Sequence, residues 1–383
     1  MLQLLNTMTG KREVFTPREP GIVKIFTCGP SIYRRPHIGN YRTFLYEDLL
    51  VRFLEFQGLK VKRVINMTDV EDKSIEEAHS RGENMQEMTA DAAGYFYRET
   101  AELGIKLPDH IPTSSSTIAE AAEIVKILME KGHAYEYEGN IFFDPLSIPD
   151  FGKLYGLNMD EWPEKRVRFK KDTYNGNRWN RGDFILWHGD NGEHIHFWDS
   201  VIGRGRPSWN IQDPAIIYST LGEQVDLNCG GIDNIYRHHD YNIAIMEALT
   251  GKEYARIFLH GEHLMVDGKT MSKSRGNILY PENVFEKGFT PRELRFFLTS
   301  TRHYRKKLNF TFESMTASAE RLRSLQKKIS NLMQTAVPGT DLRKEEEAAA
   351  VLDRIEPEFT AALESDLELY RGIDSLEKKT RSP

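Results

Sequence analysis

Thr27-Cys28-Gly29-Pro30-Ser31-Ile32-Tyr33, continued by Arg34-Arg35-Pro36-His37-Ile38-Gly39-Asn40, is the stretch from which the rest of the chain can be read. An apolar run, Ile22-Val23-Lys24-Ile25-Phe26, precedes it and predicts a buried strand. Residues 43–57, which follow, carry apolar side chains at helical spacing. A strand, a turn with Gly and Pro, and a helix holding Gly39 in its first turn form a geometry that brings an anion to a helix N-terminus. His37 is then placed to donate to a phosphate, and Cys28, just off the strand end, faces the same crevice. A nucleotide site is the reading these residues support.

Moving outward, residues 59–64 read as a second strand that delivers Ile65-Asn66-Met67-Thr68-Asp69-Val70-Glu71-Asp72-Lys73 to the same edge. Strand, helix and strand at this spacing form a right-handed unit of parallel sheet. Thr68 and Asp69 become candidates for contact with a small substrate, although Asp69 or Asp72 equally suits a helix N-cap. Residues 224–228 predict a later strand ending in Cys229-Gly230-Gly231-Ile232-Asp233. Glycines at a strand end let a nucleotide's sugar or base lie against the backbone, and Asp233 can accept from ribose hydroxyls. A further strand, 254–260, runs into Leu264-Met265-Val266-Asp267-Gly268-Lys269-Thr270-Met271-Ser272-Lys273-Ser274-Arg275-Gly276-Asn277.

At 383 residues, with 39% hydrophobic and 28% charged residues, the chain suits a globular protein of two or three domains. No apolar run is long enough to span a bilayer. Cys28 and Cys229, the two cysteines, lie far apart, which argues against a disulfide framework. The start lacks a basic region and apolar core of signal-peptide length, so a cytoplasmic setting is expected. A net charge of -6 argues against indiscriminate nucleic-acid binding. Local basic stretches exist at Lys165, Arg166, Arg168, Lys170 and Lys171, and again from Arg302 to Lys328.

His37-Ile38-Gly39-Asn40 resembles the HIGH-type signature of class I aminoacyl-tRNA synthetases, and the Cys-Gly-Pro before it looks like the cysteinyl-tRNA synthetase version. Met271-Ser272-Lys273-Ser274 resembles the second signature, KMSKS, with Thr270 in the first lysine's place. Asp183-Phe184-Ile185-Leu186-Trp187, Trp198-Asp199-Ser200 and Gly203-Arg204-Gly205-Arg206-Pro207-Ser208-Trp209 are similar to the family's connective insertion. The resemblance runs in the right order from about residue 1 to 365. It implies an α/β fold: a Rossmann-like parallel-sheet nucleotide-binding domain with an inserted connective α+β segment and a C-terminal helical region. The expected division is 1–120 and 206–285 for the two halves of the catalytic domain, 121–205 for the insertion, and 286–383 for the helical stem-contact region and tail.

The same resemblance implies an ATP-dependent ligase that makes an aminoacyl-adenylate and passes the acyl group to tRNA. His37, Asn40 and Lys273 would be catalytic. Lys273 would place its charge on the leaving pyrophosphate. Gly39, Gly230, Gly231, Asp233, Met271 and Ser272, with Lys273, would hold ATP and its accompanying Mg2+. Cys28, Thr68, Trp209, Asp213 and His238 would meet the amino acid. A monomer is expected. Alternatives are a paralogue for another amino acid, a ligase acylating a small amine in the manner of mycothiol-pathway ligases, and a silent nucleotide- or tRNA-binding paralogue.

Two departures limit the carry-over. The family holds zinc with two Cys, one His and one Glu; here Cys28 and His238 are kept, but Asp213 stands for the second Cys and Asn242 for the Glu. Zinc on Cys28, Asp213 and His238 with an open fourth position is one outcome. A metal-free pocket in which Asp213 receives a hydrogen-bonding or positive group of another amino acid is the other; Cys229 and His239 are nearby substitutes. The second departure is the chain's end at Pro383, from which contact with a tRNA acceptor end is expected and anticodon contact is not.

Overall fold

The computed structural model describes residues 1–158, 182–190, 192, 196–335 and 342–379. The basic stretch from Lys165 to Lys171 lies outside the described residues. A hairpin of β1 (Gln3–Asn6) and β2 (Lys11–Val14) leads to β3 (Ile22–Thr27), whose Val23, Ile25 and Phe26 are fully buried. Next come α1 (Ile38–Phe56) and β4 (Lys60–Ile65), then α2 (Asp72–Arg81), α3 (Met85–Glu102) and α4 (Ile118–Glu130). The turn after β3 cannot carry a side chain at Gly29, because a Cβ there would lie 1.8 Å from the Asn66 carbonyl oxygen. The two strand ends are therefore pressed together at the edge where ligands enter.

Strands β5 (Ala134–Tyr137), β6 (Asn140–Phe143), β7 (Phe184–Gly189) and β8 (Gly205–Pro207) form a separate antiparallel sheet in that order. Helix α4 packs on it: Val125 and Leu128 share a core with Phe143, Phe184 and Trp187. The parallel sheet resumes with α5 (Trp209–Thr220), β9 (Val225–Gly231), α6 (Asp240–Thr250) and β10 (Ala255–Gly261). The central sheet has the order β10-β9-β3-β4, and every pair is parallel. Strand order reverses between β3 and β9, so the crevice at their carboxyl ends is the place where such sheets bind ligands. Cys28 lies on one side of it and Gly230-Gly231 on the other.

One predicted boundary shifts. The glycine pair belongs to β9 itself, paired with His260 and Gly261 of β10. Helix α6 begins only at Asp240, because Tyr236 is extended and Arg237 has φ +88°. Beyond the sheet, β11 (Leu264–Val266) turns back through Asp267-Gly268 into β12 (Lys269–Thr270) and pairs in parallel with β13 (Leu308–Phe310). Helices α7 (Pro281–Phe285) and α8 (Pro291–Ser300) lie between them, and Thr290 caps α8 by a reciprocal bond pair with Glu293.

The tail holds α9 (Phe312–Thr335), α10 (Leu342–Glu364) and α11 (Leu369–Lys379). Helices α10 and α11 are separate because Asp366 and Leu367 between them both have positive φ, +56° and +58°. Asp366 explains the break: its Oδ1 accepts from Leu5 N (3.0 Å) and from the Tyr304 hydroxyl (2.8 Å), while its own N–H donates to Gln3 O (2.8 Å). Tyr304 stacks on Tyr46 of α1 at 4.6 Å between ring centres. The Tyr46 hydroxyl reaches the carbonyls of Gly230 (2.8 Å) and Leu259 (3.1 Å) and accepts from Gly230 N (3.1 Å). Gly261 leaves the room, since a Cβ there would stand 2.8 Å from that ring. Among the described residues no helix is long and apolar enough to cross a membrane.

Removing one hydroxyl tests this buried junction. Tyr46→Phe leaves the Gly230 amide and two carbonyls without their partner, so denaturant titration should show a loss of about 1–3 kcal/mol. A loss below about 0.5 kcal/mol would mean that the hydroxyl does not hold the strand end.

Candidate active site

His37 is the N-cap of α1. Its Nδ1 accepts from Gly39 N (3.1 Å) and Asn40 N (3.3 Å), while Asn40 Oδ1 accepts from His37 N (2.9 Å). An acceptor Nδ1 places the ring proton on Nε2. Burial pushes the imidazole below its ordinary value, against smaller opposing pulls from a backbone hydrogen bond and then from Asp233, so the neutral ring is favoured. Sequence reasoning assigned the first amides of α1 to phosphate. Two of them are instead committed to the cap, which leaves the His37 Nε2–H and the Asn40 amide hydrogens as the donors for an anion.

The two signature stretches meet. A Cβ at Gly39 would lie 2.7 Å from the Met271 methyl, and Ile38 N donates to Leu279 O (2.9 Å). The loop carrying Met271 is closed by Asn277, whose Oδ1 accepts from Ser272 N (3.0 Å) and whose Nδ2 donates to Thr270 O (3.2 Å). Arg275 also donates to Thr270 O (3.1 Å). Lys273 opens a short 3-10 turn, Lys273–Arg275; its side chain lies outside the described residues. Asp233 is exposed at the mouth, and Gly231 makes space for its carboxylate, 2.5 Å from where a Cβ would be.

The floor of the crevice is a buried polar network. Asp213, 1% exposed on α5, accepts from Asn66 Nδ2 (2.6 Å), His238 Nε2 (2.7 Å) and Asn242 Nδ2 (3.4 Å). Asn66 also accepts from Gly29 N (2.7 Å), tying the Cys-Gly-Pro turn to α5. Cys28 Sγ lies 3.4 Å from His238 Nε2 and accepts from Asn234 Nδ2 (3.1 Å). Burial first, then the carboxylates of Asp213, Glu47 and Asp233, push the Cys28 thiol well up, so it is held protonated. Trp209 stacks on His238 at 4.1 Å and 13°. Thr68 is buried and is tied through its backbone to Pro30 O (3.1 Å) and Ile32 N (2.9 Å). Asp69 is engaged with Ser114 and Ser115 rather than open to substrate.

Sequence reasoning missed Asn66, Asn234 and Tyr46. Asn66 was legible as a polar residue at a strand's carboxyl end; the other two act across the sheet and left no local signal.

Ligand atoms of Cys28, His238 and His239 lie within 4.8 Å of one another. His239 Nδ1 is occupied by His260 Nε2 (2.8 Å) and Asn228 Nδ2 (3.1 Å), and His260 Nδ1 continues to Thr7 Oγ1 (2.8 Å). His239 Nε2 is buried without a partner among the described residues and could meet an ion, but the rest of the donor set fits zinc poorly. The His238 nitrogen nearest the thiol is bonded to Asp213, and Asn242 turns its NH2 toward that carboxylate.

A parallel sheet with a ligand crevice at its switch point, a capped histidine and a facing Met-Ser-Lys loop define a class I aminoacyl-tRNA synthetase core. The family model for the class I (C) tRNA synthetase catalytic domain matches residues 14–320. The chain is 37% identical over 381 residues to a cysteine-tRNA ligase of Chlamydia pneumoniae, covering 98% of this chain and 78% of that one. It is 34% identical to the Methanosarcina mazei cysteine-tRNA ligase, covering 100% and 81%. The chain belongs to the cysteine-type family of class I tRNA synthetases. The fold is shared with Mycobacterium tuberculosis methionyl-tRNA synthetase in complex with methionyl-adenylate (TM-score 0.69, 14% identity, 94% of this chain and 82% of that one). It is also shared with an Agrobacterium radiobacter LeuRS in a ternary complex with tRNA and LeuAMS (TM-score 0.67, 12% identity, 96% and 82%).

The His260 imidazole, buried behind the site, is pushed down to about 3, chiefly by desolvation. Between pH 6.5 and 3 the unfolded chain binds a proton that the folded one refuses, so this residue makes stability fall as pH drops. Relative to His260→Asn, wild type should lose up to about 1.4 kcal/mol of additional stability per pH unit through that window. Parallel stability curves for the two proteins from pH 7 to 5 would contradict it.

Proposed function

We propose that the chain activates an amino acid with ATP and transfers the acyl group to the acceptor end of a tRNA. The single observation that carries this is the meeting of Gly39 with Met271, which brings the two signature stretches to one crevice beside Gly230-Gly231 and Asp233. The amino-acid carboxylate attacks the α-phosphorus, an aminoacyl-adenylate forms and pyrophosphate leaves. The His37 Nε2–H and Asn40 Nδ2 donate to phosphate oxygens as charge develops on them, at positions fixed by the cap before substrate arrives. Lys273 is assigned to the pyrophosphate, and Met271 and Ser272 carry its loop against α1. The glycine strand end receives the adenosine, with Asp233 on ribose hydroxyls. Mg2+ accompanies the nucleotide. Cys28, Trp209 and His238 face the amino-acid side chain, and Asp213 supports them from below. The working division of the chain is two catalytic halves, 1–120 and 206–285, an insertion, 121–205, and a helical region from 286.

ATP–pyrophosphate exchange across a panel of amino acids, followed by charging of deacylated total tRNA, is the direct test. Exchange with at least one amino acid and acylation of tRNA are expected; exchange in none would sink the proposal. His37→Ala should lower kcat/KM for exchange by about 100- to 1,000-fold, the range found for removing one developing-charge donor.

A further inference from the structure

The Asp213 carboxylate receives three donors from inside the protein, so it has little left to offer a ligand. Asn242 Oδ1 has no hydrogen-bond partner among the described residues, and the amide's sense follows from Asp213: rotating it would set oxygen against a carboxylate. The group therefore turns NH2, a non-ligand, toward Asp213. His238 Nε2 can serve Asp213 or a metal, but not both. Zinc on Cys28, His238 and His239 would detach that nitrogen from Asp213, and zinc on Cys28, Asp213 and His238 would have one soft donor, a carboxylate already held by Asn66 and Asn242, and an amide NH2 at the fourth corner, a poor set for the ion. Two substitutions thus replace one another's chemistry: Asp213 supplies the negative charge that a thiolate would, and Asn242 a donor where a second carboxylate would repel it.

Resting on the ligase reading above, we propose that the side-chain pocket works without a metal, and that it takes a small amino acid with a β-thiol or a β-hydroxyl alike. Its surface is the Cys28 thiol, the His238 ring edge and the Trp209 indole. These groups act by shape and hydrogen bonding, which separates near-isosteric side chains by about 100-fold at most, whereas a soft metal bonds sulfur in preference to oxygen. Serine is activated beside cysteine.

Three measurements on the full chain decide it. Cobalt(II) added stoichiometrically should give no thiolate-to-metal charge-transfer absorption with wild type, and should give it with the Asp213→Cys, Asn242→Glu double variant, which restores a soft donor and a carboxylate. Exchange by wild type should survive a chelator. The kcat/KM ratio of cysteine to serine should stay within about 100 for wild type and rise at least tenfold in the double variant with zinc. A one-to-one cobalt band in wild type, loss of exchange on chelation, or a ratio above that limit overturns the proposal. If the double variant does not fold, Asn242→Glu alone takes its place in the cobalt titration. Should no amino acid support exchange, the ligase reading and the substrate class fall together, and the cobalt titration still decides whether the pocket holds metal.

Discussion

Everything at the crevice depends on β3 lying beside β9. Ile25, Phe26 and Thr27 pair with Leu227, Asn228 and Cys229, and Cys28 N extends the ladder by donating to Cys229 O (3.1 Å). That register places the Cys-Gly-Pro turn level with the glycine strand end. A slip of one residue would turn Thr27 and Phe26 to opposite faces and move Cys28 away from His238. Buried Arg63 supports the strand from β4, donating to Thr27 Oγ1 (3.2 Å) and to Glu47 Oε2 (3.0 Å) on α1, so sheet and helix share one charge pair beneath the site.

The capping of α1 shows how one side chain can perform a structural and a chemical task. By accepting at Nδ1, His37 satisfies the Gly39 amide and shares that of Asn40 with its own carbonyl, and the same bonds select the tautomer with its proton on Nε2. Gly39 completes the arrangement. It is glycine because the methyl of Met271 occupies the space where a Cβ would go, not because its backbone is left-handed. The Asp213 network works in a comparable way, since Asn66 joins it to the Gly29 amide and hence to the turn that leads into the helix.

Much of this was legible in the sequence. The strand before Cys28, the helix after His37 and the glycines at 230 and 231 follow from periodicity and turn chemistry, and the two signatures fixed which ends had to meet. The break at Asp366 was not legible, because two successive non-glycine residues with positive φ are held there by partners distant in sequence, from β1 and from His303, Tyr304 and Arg305. Nor could the sequence distinguish an Asp213 open to substrate from one filled by Asn66, His238 and Asn242. Those three come from β4's end, the kinked turn and α6, and only the folded arrangement aims them at one carboxylate.

The Asp366 turn has a consequence for how the molecule can be divided. It joins the N-terminal hairpin, the residues after α8 and, through the Tyr304–Tyr46 stack, the backbone of Gly230. A fragment cut at the end of the family-model match, near residue 320, would lack this turn and leave Leu5 N and the Tyr304 hydroxyl facing a gap. A piece that keeps these contacts therefore extends past Asp366, and the tail packs into the body that carries the site instead of standing apart from it.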